Sequence, residues 1–203
     1  VNNENEYIAA LHQFFDQYFT LNQIERNEIS TRCTLRTIKK HGFILQCGDV
    51  CDYFTFIVAG CFRQYAIDEN GKEHNLQFAI ENEWITDISS FYSEKPSGVY
   101  IEAVEASTIL QIKHDDLLFL YKTYHKFDRN FRIIVEKKYI DLQNRVLQNI
   151  SVTAENRYQN FLRLYPNLSN RLPNVQIASY LGITPEFLSK IRKELSYRHQ
   201  QEK

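Results

Sequence analysis

Glu186 stands three and four residues before Ser189 and Lys190, and Lys193 four and three after them, the spacing that lines one face of an α-helix. Together they offer a carboxylate acceptor, a hydroxyl and two ammonium donors. The set lacks a nucleophile with an adjacent base, so its chemistry is recognition rather than bond-breaking. What holds it is the stretch Val175 to Leu195, VQIASYLGITPEFLSKIRKEL. It reads as two short helices with Ala178 in the first, Gly182 in the turn and Pro185 opening the second, which runs to about Leu195. Ile177, Leu181, Ile183, Leu188 and Ile191 then face one small shared core. Ala178 permits close approach of the helices, and Gly182 can take the positive φ of a sharp turn. Thr184 reads as the N-cap, since proline at the first helical position loses no hydrogen bond and the Glu186 carboxylate suits a helix N-terminus. This is a helix-turn-helix, and it makes double-stranded DNA the first partner to consider. Its second helix should enter the major groove with the N-terminal turns toward base edges, leaving Thr184, Arg192, Asn174 and Gln176 for phosphates.

The charge distribution agrees. The 203-residue chain has a net charge of −1, yet Ser151 to Lys203 carries eight Lys/Arg against four Asp/Glu, while Val1 to Ile150 carries 16 against 21. Screening beyond ~10 Å means that a phosphate backbone meets the local basic balance and not the total. Hydrophobic content of 43% and charged content of 24% are those of an ordinary globular chain with room for one large or two modest domains. No apolar run approaches the roughly 18 residues of a membrane span, and the start lacks a basic region followed by an apolar one, so the expected location is the cytoplasm.

Before the basic tail, residues 6 to 31 carry a helical period through Ile8, Leu11, Phe14 or Phe15, Tyr18 and Phe19, with a second short helix around Gln23 to Arg32. From about Thr34 to Lys113 short β-rich runs alternate with turns. The clearest turn is Glu69-Asn70-Gly71-Lys72, where Asn-Gly predicts the positive φ angles of a tight two-residue hairpin. Gly42, Gly48, Gly60 and Gly98 punctuate the remainder, which argues for an antiparallel roll or jelly roll. Helical texture returns from Asp115 to Tyr124, and a long helix follows from about His125 to Ile150, ~39 Å at 1.5 Å per residue. It carries Phe131, Val135, Leu142 and Val146 on one seam, and Ile133, Ile140 and Leu147 on another nearly opposite. One seam for its own barrel and one for a second copy of the helix predicts a homodimer, with Phe131, Val135, Leu142 and Val146 at the interface. Thr153 then caps a further helix that Pro166 ends. The expected organisation is an α+β chain: a β-roll over 1–124, a dimerisation helix over 125–150 and a helix-turn-helix bundle over 151–203.

A β-roll with an Asn-Gly hairpin, a long helix and a helix-turn-helix, in that order, resembles the cyclic-AMP receptor protein and fumarate–nitrate regulator (Crp/Fnr) family of bacterial transcription regulators. The resemblance covers nearly the whole chain. It rests on Gly48-Asp49, Gly60, Asn70-Gly71, Glu83-Trp84-Ile85-Thr86-Asp87 and above all QIASYLGITPEFLSKIRKEL. It implies a cyclic nucleotide-binding-like domain, DNA and a second copy as partners, and RNA polymerase as a further one. It also implies that Glu186 accepts from cytosine N4 and that Lys190 stands where an arginine reads guanine. Pro185 falls where the family often has another base-reading arginine, which implies a different half-site, and too few residues follow Leu195 for a β-hairpin wing.

The family's cyclic AMP site joins a Gly-Glu-Leu stretch at a short helix N-terminus to an Arg followed by Ser or Thr. Here those positions read Thr86-Asp87-Ile88 and Ser97-Gly98, without the arginine. A lost charge-assisted pair costs ~1.5–3 kcal/mol, so tight cyclic AMP binding is not expected, and the pocket is left to an unknown effector. The cysteines at 33, 47, 51 and 61 include no CxxC, and only Cys33 precedes the barrel, so neither zinc nor an iron–sulfur cofactor is expected. A cupin-like enzyme, the alternative β-roll reading, needs an HxH pair that the six histidines do not supply. No catalytic or metal-ligating residue is assigned. A β-roll interaction module is the remaining alternative, and the basic C-terminal balance speaks against it.

Overall fold

The computed structural model describes residues 2–201. Two helices, α1 (Asn2–Asp16) and α2 (Gln23–Arg32), precede the strands β1 (Cys33–Ile38), β2 (Phe43–Leu45), β3 (Tyr53–Ala59), β4 (Phe62–Ile67), β5 (Glu73–Ala79) and β6 (Trp84–Ile85). A short helix α3 (Ile88–Ser93) interrupts a stretch that reads as β-rich, and β7 (Tyr100–Ala103) and β8 (Ser107–Lys113) complete the strands. Helices α4 (His114–Thr123), α5 (His125–Ser151), α6 (Ala154–Leu164), α7 (Asn174–Leu181) and α8 (Pro185–Gln201) follow, with one 3-10 turn at Leu168–Asn170. The strands form two four-stranded sheets, β1-β8-β3-β6 and β2-β7-β4-β5, and the pairings that set their register are antiparallel. The expected α+β architecture, an antiparallel roll followed by helices, is therefore what forms.

The chain divides into two compact units: residues 1–67 with 76–136, and residues 68–75 with 137–203. The first unit is built around aromatic rings. Trp84 lies 5.1 Å from both Phe56 and Phe131 and 5.4 Å from Phe54, with Phe14 and Phe15 just beyond. Edge and tilted ring pairs add ~0.5–1.5 kcal/mol each beyond the apolar area they bury. Phe131 is 2% exposed, which corrects its expected place on a partner-facing seam. It belongs with Phe127 and Ile134 to the part of α5 that closes this core. At Gly60 (φ +107°) an added Cβ would meet Ser107, so the close approach of the β3–β4 turn to the start of β8 requires glycine there.

The Asn70-Gly71 hairpin differs from the tight two-residue turn. Gly71 has a positive φ (+78°), whereas Asn70 does not. The Asp68 carboxylate accepts the N–H groups of Asn70 and Lys72, while the Lys72 carbonyl accepts the Asp68 N–H. An aspartate side chain thus shapes a five-residue loop with a single left-handed glycine.

The second unit has its own core of Tyr158, Phe161, Leu168, Leu172, Ile177, Ala178, Leu181, Leu188 and Ile191, all buried. Thr153 caps α6 by accepting the Asn156 N–H at 3.3 Å. Helix α6 stops at Leu164, just before Pro166, which cannot continue it.

Candidate nucleic-acid interface

The pair α7 and α8 forms because its turn chemistry and its apolar period agree. Gly182 adopts φ +67°, and the Ile183 N–H reaches back to the Ala178 carbonyl at 3.0 Å, closing α7 in a left-handed cap. Thr184 then opens α8: its Oγ1 accepts the Phe187 N–H at 3.2 Å and its carbonyl accepts the Leu188 N–H at 3.0 Å. Leu188 and Ile191 point into the core and Ile183 is half-buried. The helix runs on to Gln201, beyond the stop expected near Leu195.

This geometry leaves Glu186, Ser189, Lys190 and Lys193 exposed, with Thr184 exposed and Pro185 half-buried at the helix start. Hydrogen bonds from its own N–H and from Thr184 hold the Glu186 carboxyl below the usual carboxylate range, so it is an acceptor through the neutral pH region. The Ser189 hydroxyl donates to the Pro185 carbonyl at 2.9 Å and keeps lone pairs for an incoming donor. Lys190 stands 4.0 Å from Glu194, an exposed pair that contributes little to stability and leaves the ammonium available. Arg192 differs from the rest of the set. It is half-buried, its guanidinium lies 5.4 Å from the Tyr158 ring, and Nε and Nη2 are buried. Gln176, expected at a phosphate, has a buried Oε1.

A cluster that the sequence does not announce joins the hairpin 68–75 to α7 within this second unit. The Asn75 N–H donates to Ser179 Oγ at 3.0 Å, Ser179 Oγ donates to the Glu73 carbonyl at 2.9 Å, and Asn75 Nδ2 donates to the Gln176 carbonyl at 3.0 Å. Arg145 of α5 donates to the Asn75 carbonyl at 2.9 Å and lies 4.3 Å from the Tyr180 ring centre. Burial pushes the Arg145 pKa down from its ordinary value. Partners about a hundred residues apart leave no local periodicity to find.

In the first unit, Asp87 and Ser97 come together as the sequence places them. Asp87 caps α3, accepting the Ser89 N–H at 3.1 Å and the Ser97 hydroxyl at 2.7 Å. Its carboxylate therefore takes one N–H of this helix start together with the Ser97 hydroxyl, with Ile88 and Gly98 exposed beside it. Thr86 turns inward and donates to the Tyr53 carbonyl at 3.2 Å. An open cavity of about 390 Å³ is walled by Ile44, Leu45, Ile85 and Ile101 with Asp49, Asp52 and Thr55. Burial pushes the Cys33 thiol up to about 12 and raises that of Cys51, so neither is a thiolate near neutrality. Among the described residues no group of three or more His, Cys, Asp or Glu side chains could hold a metal ion.

On α5 the two apolar seams do not divide as expected. Leu142 and Val146 of one and Ile140 and Leu147 of the other are all at least half-exposed, and Tyr139 and Ile150 lie between them. The seams merge into one broad apolar face, while Val135 is half-buried nearer the first unit's core.

Comparison with known proteins agrees with this architecture. Residues 35–124 match the family model for the cyclic nucleotide-binding domain. No curated protein sequence matches the chain. Among solved structures, FixK2 from Bradyrhizobium japonicum is 17% identical with a TM-score of 0.74, over 82% of this chain and 86% of its own. The c-di-GMP-responsive global regulator CLP from Xanthomonas campestris is 13% identical with a TM-score of 0.69, over 88% and 93%. A protein from Eubacterium rectale described as a transcriptional regulator of the Crp/Fnr family is 17% identical with a TM-score of 0.69, over 88% and 85%. Residues 35–124 are thus similar to cyclic nucleotide-binding domains, and the chain as a whole shares the fold of these regulators. Among the described residues, no helix is long and apolar enough to cross a membrane.

Proposed function

We propose that this protein is a homodimeric, DNA-binding transcription regulator of the Crp/Fnr type, working in the cytoplasm and not as an enzyme. The observation that carries the reading is α8. Its buried side fixes it on α7, and its free side presents Glu186, Ser189, Lys190 and Lys193 in the order that meets base edges from the N-terminal turns. The exposed apolar face of α5, from Tyr139 to Ile150, supports a second copy as its cover, since an isolated helix in water does not keep six large apolar side chains exposed without a partner. Two readers on a two-fold axis would meet half-sites about one helical turn, ~34 Å, apart. RNA polymerase is the further partner such a role requires.

The β-roll does not serve as a cyclic AMP site in this reading. The Asp87 carboxylate occupies the α3 start, where it accepts the Ser89 N–H and the Ser97 hydroxyl, and a phosphate there would meet its negative charge instead of an arginine. An effector of other chemistry, held in the cavity beside Asp49 and Asp52, remains open to the domain. The decisive test is selection of bound duplexes from random DNA by the full chain, followed by a salt titration. A regulator yields one enriched two-fold sequence, and its affinity falls as salt rises. No enrichment, or affinity independent of salt, would overturn the proposal.

A further inference from the structure

We infer that Phe187 is a specificity-determining residue that reads the C5-methyl group of a thymine in the major groove. The inference rests on the DNA-reading role of α8. Phe187 is the third residue of that helix, in the turn whose residues meet base edges when such a helix docks. It is 46% exposed, although the adjacent Leu188 is fully buried and Ile191, one turn on, is 3% exposed. The small core beneath α8 is therefore filled without it. Its position is fixed by the backbone, because the Phe187 N–H is held by Thr184 Oγ1 at 3.2 Å and cannot slide along the helix.

Its neighbours define what it can meet. Glu186 precedes it with an ionised carboxylate, and Lys190 lies one turn further on with its ammonium exposed. Both recognise polar edges: an amine donor for the carboxylate, guanine oxygen and nitrogen for the ammonium. On the helix surface Lys190 stands one turn from both Glu186 and Phe187, so the exposed ring borders the ammonium at the edge of the polar face, which suits a groove partner that has an apolar group beside polar ones. In the major groove that group is the thymine methyl, the one apolar feature any base pair displays there. A protein partner would favour a wider apolar patch around the ring, whereas the outward face of these turns is otherwise polar.

The test uses the full chain and the duplex it selects. Each thymine of one half-site is replaced in turn by deoxyuridine, which removes only the methyl group, and Kd is measured for the wild type, Phe187→Ala and Phe187→Leu. The wild type should show one position at which deoxyuridine weakens binding about three- to tenfold, the scale of one lost methyl contact. Phe187→Ala should bind the thymine duplex about as weakly as the wild type binds the deoxyuridine one, and should ignore the replacement. Phe187→Leu keeps an apolar side chain and should retain part of the sensitivity, which separates readout from misfolding. A selected duplex with no methyl-sensitive position, or a sensitivity unchanged in Phe187→Ala, overturns the inference and leaves the DNA-binding role standing. Failure to select any duplex overturns the role itself.

Discussion

Asp87 and Lys190 show how far single residues carry the function. Asp87 caps α3 and also accepts from Ser97, so Asp87→Ala should destabilise the protein by about 1–2 kcal/mol, a lost cap plus one lost hydrogen bond from a hydroxyl that keeps Val99 as its partner. Urea unfolding measures this, while affinity for the selected operator should stay within twofold, because Asp87 sits in the first unit and α8 in the second. Cyclic AMP at millimolar concentration should not raise the melting temperature of the wild type, and a saturable rise of several degrees would contradict the assignment of Asp87. Lys190→Ala makes the opposite pattern: unchanged stability, and loss of at least tenfold discrimination between the operator and random duplex. Equal affinity of wild type and variant for the operator would remove Lys190 from the reading face. Arg192 marks the limit of residue-level reading. Its spacing suits an outward phosphate contact, yet an aromatic ring on α6 draws the guanidinium inward.

Elements were legible where local chemistry decides them. The Gly182 turn, the Thr153 and Thr184 caps and the span of α5 follow from short-range rules of capping and period. The α3 helix was implied only by the family resemblance, because six residues between strands show too little period to stand out from a β-rich run. The apolar face of α5 was half legible: its residues were visible, but which of them the first unit's core claims depends on tertiary packing. Phe131 goes to that core, so the second copy proposed above would act further along, on Leu142 and Val146. Leu142→Glu with Val146→Glu should convert a dimer to a monomer in sedimentation equilibrium, since two carboxylates would be buried against their own copies. The folded monomer should survive, because neither side chain contributes to a core within the chain. A dimer of unchanged strength would place the second copy elsewhere.

At the scale of the molecule, the two units should respond to acid differently. In the first, His12 bridges α1 and α2 through Arg26 O at 3.2 Å and Ser30 Oγ at 2.9 Å, and burial lowers its pKa from the usual 6.5. A lowered histidine favours the folded state only while neutral, so its contribution is present above pH 6.5 and is lost as the pH falls below that value. Glu102 acts lower on the scale. Burial works to raise its pKa, but hydrogen bonds from His41 at 2.6 Å and Arg63 at 2.6 Å together prevail and lower it. Its contribution is present above the ordinary carboxylate value of 4.5 and disappears as the pH drops through the depressed one. The lowered carboxylates of the second unit, Asp68 and Glu186, lie at the surface, where solvent screens them. The single tryptophan, Trp84, sits in the first unit's core and reports on that unit alone. Melting followed by Trp84 fluorescence should therefore fall in temperature between pH 7 and 5, and again below pH 4.5. Over the same range, loss of the helical signal that remains after Trp84 has melted should move less. His12→Gln should flatten the first decline and leave the second, and a variant that tracks the wild type from pH 7 to 5 would show that another group carries the linkage.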